Sequence, residues 1–160
     1  MRGKLTLLSG VIAAGTVVVS AAASTAAAKP KATKIACHST VYYPKPTQRK
    51  GIAFGYENCP KPGAGAGVQS ITYNATISST GVVTAKLAFK RWSDTGTTHG
   101  TASLTGRFTN ATTGTVKGPV TITGGTGAYR AVRGKGTTSC STNDAGAIYT
   151  CTTRLTLTGL

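Results

Sequence analysis

Ile122-Thr123-Gly124-Gly125-Thr126-Gly127-Ala128-Tyr129-Arg130-Ala131-Val132-Arg133-Gly134 is the stretch where an alternating, strand-like pattern meets a glycine-dense bend and two arginines. Gly124, Gly125 and Gly127 allow a positive φ or the close approach of another strand, which a residue with a Cβ accepts only at a cost. The strand entering them is therefore expected to bend into a structural corner that also uses Gly134. A phosphate loop would need a Gly-Lys-Ser/Thr ending and a helix after it, and a dinucleotide fingerprint would need glycine where Arg130 stands. Gly134 and Gly136 interrupt any helix downstream, which removes the remaining support for a nucleotide site.

Working outward, the same period of two recurs on both sides. Upstream, Val116, Gly118, Val120 and Ile122 share one face, with Pro119 implying a bulge or an edge. Ala102, Leu104, Gly106 and Phe108 form the preceding set, and Val83, Ala85, Leu87 and Phe89 the one before that. Ile71, Tyr73, Ala75 and Ile77 alternate with Thr72, Asn74 and Thr76, a pattern no helix produces. Downstream, residues 134–141 and 147–158 supply two further strands. Residues 34–43 and 52–58 precede the series, separated by Pro44-Lys45-Pro46, and the run from Gly63 to Gly67 reads as a flexible loop. About eight short Thr-rich strands with turns between them predict an all-β domain, either a small eight-stranded antiparallel barrel or a β-sandwich. Closure into an up-and-down barrel would remove exposed edges.

Gly124-Gly125-Thr126-Gly127-Ala128-Tyr129, followed by Ala131 and Arg133-Gly134, resembles the Gly-Gly-Thr-Gly-aromatic segment of the allene oxide cyclase and dirigent-like barrel family, including its uncharacterised secreted bacterial members. The resemblance covers about 13 residues closely, with a looser strand rhythm over 68–160, and it favours the barrel over the sandwich. In that family the segment mainly shapes the barrel. No catalytic residue is carried onto this chain by it.

Residues 1–28 have the form of a secretory signal peptide. Arg2 and Lys4 precede an apolar run from Leu5 to Val19, and Ala26-Ala27-Ala28 offers a cleavage site. The apolar run is shorter than the roughly 20 residues a spanning helix needs, so no transmembrane segment is expected after its removal. Residues 29–34 then form a basic tail and 35–160 a single domain. The Ala, Gly and Thr bias resembles that of secreted proteins of high-GC Gram-positive bacteria. Export places the four cysteines in an oxidising compartment, where an even count in a small domain predicts disulfides. Cys140 and Cys151 flank the turn signal Asn143-Asp144-Ala145-Gly146, so a hairpin there brings them face to face and leaves Cys37 for Cys59. There is no Cys-x-x-Cys and no histidine at finger spacing, so neither a metal nor another cofactor is expected.

With 18 basic and three acidic residues the chain carries a formal charge of +15. The three acids are Glu57, Asp94 and Asp144, too few and too scattered for paired-carboxylate catalysis, and Asp144 belongs to its turn. His38 and His99 are isolated, and no Gly-x-Ser-x-Gly elbow supports a hydrolase. Glu57, between Tyr56 and Asn58, is expected in a surface ion pair. Buried beside a cation it would instead be the one candidate acid/base. By strand parity Lys86, Lys90 and Arg107 point outward, and Arg130 and Arg133 flank the corner. These five are the candidate contacts for an anionic polymer or cell-surface component. Sequence-specific nucleic-acid recognition is not expected. The composite expectation is a secreted, non-catalytic binding protein taking such a partner, or a small apolar ligand in the barrel. The alternatives are a cyclase or isomerase working in the lumen, as the family resemblance implies, and a secreted basic effector or antimicrobial protein.

Overall fold

The structure, a computed structural model, describes residues 31–60 and 65–160, so the expected signal peptide lies outside the described residues. Eight antiparallel strands close into one barrel in simple sequence order, β8 returning to pair with β1. They are β1 (Thr33–Tyr42), β2 (Lys50–Cys59), β3 (Gly65–Ile77), β4 (Val82–Ser93), β5 (Gly96–Phe108), β6 (Gly114–Gly125), β7 (Arg133–Thr142) and β8 (Ile148–Thr158). A three-residue 3₁₀ turn, Gly127–Tyr129, joins β6 to β7. Among the described residues no helix is long and apolar enough to cross a membrane. The barrel expectation holds and the sandwich alternative falls.

Two boundaries differ from the sequence reading. Thr33 pairs with Leu157, so β1 begins one residue before Lys34, inside the expected tail. Gly65, Ala66 and Gly67 pair with Cys59, Asn58 and Glu57, so most of the presumed flexible run opens β3. In both cases a partner strand supplies the backbone hydrogen bonds that local composition argued against.

The alternation read from sequence is realised directly. Residues of one parity fill the interior, including Ile71, Tyr73, Val83, Leu104, Ile122 and Leu155, while Thr and Lys of the other parity face out. Both disulfides form as paired from the spacing: Cys37–Cys59 links β1 to β2, and Cys140–Cys151 bridges directly opposed residues of β7 and β8. The hairpin between the latter is set by Asp144, whose Oδ1 accepts from the Ile148 N–H at 2.9 Å and the Thr142 hydroxyl at 2.7 Å. Closure leaves no sheet edge, so Pro119 is not at one. It occupies a gap in the β5–β6 ladder, and the register shift of that pair lies instead at His99/Gly100.

The corner closes one end of the barrel. Gly127 has φ +59°, and a Cβ there would overlap the Thr95 carbonyl oxygen. That geometry lets the Ala128 N–H donate to the Thr95 carbonyl at 3.0 Å and seats Tyr129 beneath the β4–β5 turn, its hydroxyl 2.6 Å from Thr95 Oγ1. The segment is thus a tight turn docked on its neighbour rather than a bend within a strand. Val132, 1% exposed, follows it into the interior.

Candidate functional site

The barrel encloses a cavity of about 340 Å³ running along its axis, a size within the range of small-molecule sites. Its middle is apolar: Ile71, Val83, Leu87, Phe89, Leu104 and Val120 come from β3 through β6. At the corner end it is stopped by Val132 and by the ion pair of Glu57 and Arg91. At the other end its lining includes Thr47, Gln48 and Arg49 of the β1–β2 loop, with Ile77 and Ala145, all exposed. The cavity therefore reaches solvent there, and this end is the mouth.

The floor is assembled from three strands. Glu57 on β2 is opposed by Gly67 on β3, and Arg91 on β4 is opposed by Gln69. Arg91 Nε lies 3.0 Å from Glu57 Oε2, with side chains 3% and 14% exposed. Arg91 Nη2 donates to the Gly65 carbonyl at 2.6 Å. Gly67 is what makes room: a Cβ there would overlap the Trp92 carbonyl oxygen and stand 2.9 Å from the Arg91 guanidinium carbon, so any larger residue would disturb both the β3–β4 backbone and the ion pair. Burial pushes the Glu57 carboxyl up, Arg91 pulls it down, and burial prevails, leaving it above its ordinary value of 4.5. Burial also raises the Tyr129 hydroxyl, but hydrogen bonds with Ser93 and Thr95 and the field of Arg91 outweigh it, and Tyr129 titrates below an ordinary tyrosine. Arg91 thus links the lumen floor to the glycine corner.

The mouth has a different chemistry. Tyr43 meets Tyr73 and Tyr149 edge to face, with ring centroids 5.0 and 5.4 Å apart. Tyr73 donates to the Lys45 carbonyl at 3.3 Å, tying the β1–β2 loop to β3. Burial, reinforced by the neighbouring tyrosines, holds the Tyr43 hydroxyl far above its usual value, and burial likewise raises Tyr149.

The surface reading of Glu57 is overturned, because its strand parity points inward to a guanidinium. Arg91 escaped the sequence reading, although it shares parity with Val83, Ala85, Leu87 and Phe89, and that parity was the available signal. The Glu57 carboxylate lies within 4.8 Å of the sulfurs of Cys37 and Cys59. Those sulfurs are bonded to each other, so they offer no thiolate to a metal. Both histidines face outward, His38 against Thr152 and His99 exposed, away from Glu57. Lys86, Lys90, Arg107, Arg130 and Arg133 are all exposed as expected, but they do not converge. Lys86 and Lys90 lie on β4 and Arg107 near the mouth end of β5, while Arg133 at the corner donates to the Val132 carbonyl at 2.7 Å.

An apolar tube with a tyrosine-ringed mouth and a buried charge pair at its floor can take up one elongated apolar molecule and present a polar group to its inner end. No family model, curated protein or solved structure matches the chain.

Proposed function

We propose that this protein binds one small, predominantly apolar molecule in the barrel lumen, without transforming it, and does so outside the cell. The observation that carries the reading is the cavity of about 340 Å³ that reaches solvent at one end and ends on Glu57 and Arg91 at the other. Apolar walls with a few placed polar groups are the usual composition of a ligand site. The polar group of the ligand is oriented by Gln69, Thr98 and the ion pair, which all line the cavity. Two disulfides support an oxidising, extracellular setting.

The test is a fluorescence titration with N-phenyl-1-naphthylamine, an uncharged apolar probe, together with native mass spectrometry of the protein for a retained molecule. Saturable one-to-one binding is expected. Ala85→Phe, which fills the lumen between β3 and β5, should abolish it, whereas the outward-facing change Phe54→Ser should leave it intact. Binding that survives Ala85→Phe would refute a lumen site.

One observation favours a second reading, a lumen isomerase or cyclase: Glu57 is a buried carboxyl, raised in pKa, lining the cavity. Its discriminating result is turnover of a retained ligand that is lost in Glu57→Gln while binding persists.

A further inference from the structure

The outer wall of the barrel carries an apolar surface that the lumen does not explain. Tyr42 on β1 is flanked in register by Ile148 on β8 and Phe54 on β2. In the next row Tyr56 on β2 is followed by Val68 on β3 and Trp92 on β4. Phe54 and Tyr56 are 53% and 54% exposed, and the other four are exposed as well. Side chains from five adjacent strands therefore surround one groove, floored by Thr40, Gly55 and Ser70. The six apolar residues alternate with lumen-lining ones on the same strands, so their side chains lie on the opposite face of the wall from the ligand cavity, and Gln69 alone lines both. Clustered exposure of this kind marks an interaction surface, unlike single scattered apolar residues.

The charges around the groove restrict what covers it. Lys90 stands beside it with its Nζ 5.2 Å from the centroid of the Trp92 ring. Along the same outward faces, Lys50 lies four residues before Phe54 on β2 and Arg154 six residues after Ile148 on β8, both exposed. All three acidic residues are elsewhere: Glu57 faces the lumen, while Asp94 and Asp144 sit in the turns at the two ends. A second copy of this chain would bring +15 against +15 with no carboxylate on either wall to answer the lysines. A sugar polymer needs converging hydrogen-bonding groups, whereas the rim is made of ring and aliphatic carbon and the cation already occupies a face of Trp92. Aliphatic side chains together with Trp and Tyr, bordered by lysine and arginine, match the boundary of an anionic bilayer. There the rings reside at headgroup depth and each cation near the surface adds attraction to the lipid phosphates.

The geometry points to the β8–β1–β2–β3–β4 wall as a docking surface for an anionic lipid membrane. The groove formed by Tyr42, Phe54, Tyr56 and Trp92 takes acyl carbon, and Lys90, Lys50 and Arg154 face lipid phosphate. The barrel then lies on the bilayer with its lumen mouth free at one end. Trp92 is the only tryptophan of the chain, so its emission reports this surface directly.

The experiment titrates the protein with vesicles of phosphatidylcholine alone and of phosphatidylcholine mixed with phosphatidylglycerol, and repeats the latter with acyl-brominated lipid. With anionic vesicles Trp92 emission should shift to the blue and be quenched by the brominated chains; with neutral vesicles the change should be weak. Phe54→Ser should weaken partitioning about tenfold, with circular dichroism and probe binding in the lumen unchanged. Lys90→Gln should weaken it less and reduce its dependence on salt. Unchanged emission overturns the proposal. So does vesicle binding with unquenched Trp92, which would mean adsorption by charge on another face. A blue shift that grows with protein concentration without lipid assigns the groove to a second copy, and a stronger response to polygalacturonate than to vesicles assigns it to an acidic polysaccharide.

Discussion

The two ends of the barrel solve the problem of capping an apolar tube in opposite ways. The corner end is closed by a backbone turn, Gly127–Tyr129, and by a buried ion pair whose members come from strands far apart in sequence. The mouth end is narrowed by three tyrosines that pack on one another and leave the loop residues around them exposed. Charge at the floor costs desolvation and holds only while both partners are present. Aromatic packing at the mouth is forgiving, because each ring loses only its own contacts when removed. The floor is therefore the rigid, composition-sensitive end and the mouth the adaptable one.

The largest effect that would break this contrast is at the floor. Arg91→Met leaves Glu57 buried without its counter-charge and should destabilise the barrel by about 3–5 kcal/mol, read as a lowered urea midpoint. Combining it with Glu57→Leu should recover most of that loss. If the single change costs no more than a mouth substitution, the floor is not the rigid end. Opening the disulfide across the β7–β8 hairpin with Cys140→Ser and Cys151→Ser comes next. For a sequence separation of 11, the loss should be about 3 kcal/mol in the chain-entropy model.

At the mouth, Tyr73→Phe removes the hydrogen bond to the Lys45 carbonyl, and about 1 kcal/mol or less should be lost. Ligand exchange should quicken as the β1–β2 loop loosens, which stopped-flow displacement of the naphthylamine probe can follow.

The smallest effects are in titration. The raised Glu57 carboxyl means that the folded state holds this proton more tightly than the unfolded chain. Its contribution to stability is full below the ordinary glutamate value and declines as pH rises through the folded one. Subtracting the stability profile of Glu57→Gln from that of the native protein should isolate this slope, and a difference profile rising with pH would contradict it. Spectrophotometric titration of the tyrosines should separate the ends again. Tyr129 ionises first, below the usual tyrosine range, and Tyr43 and Tyr149 ionise last. Tyr129→Phe should delete the earliest transition and Tyr43→Phe the latest.

Much of the fold was legible because a β-strand writes its two faces into adjacent residues. Parity alone placed Ile71, Tyr73, Val83 and Leu104 inside and Lys86, Lys90 and Arg107 outside, and the turn at Asp144 was enough to pair Cys140 with Cys151. The same rule, applied without exception, would have sent Arg91 and Glu57 inward. For Glu57 it was overridden by the expectation that a charged residue stays in water, which fails where an opposite charge meets it. The β3 start at Gly65 was hidden for a related reason, since glycine-rich composition says loop until a neighbouring strand supplies the ladder.

By itself the sequence determined the strand count, the antiparallel class, the disulfide pairing and the excess of positive charge, all of which depend on composition and on neighbours within a few positions. Only the tertiary structure decided that the sheet closes as β8 meets β1, that Glu57 and Arg91 meet over Gly67, and that six apolar side chains from five strands gather on one outer groove. Each of those depends on the register between strands, a long-range quantity that the period of two leaves free to slide until the whole barrel fixes it.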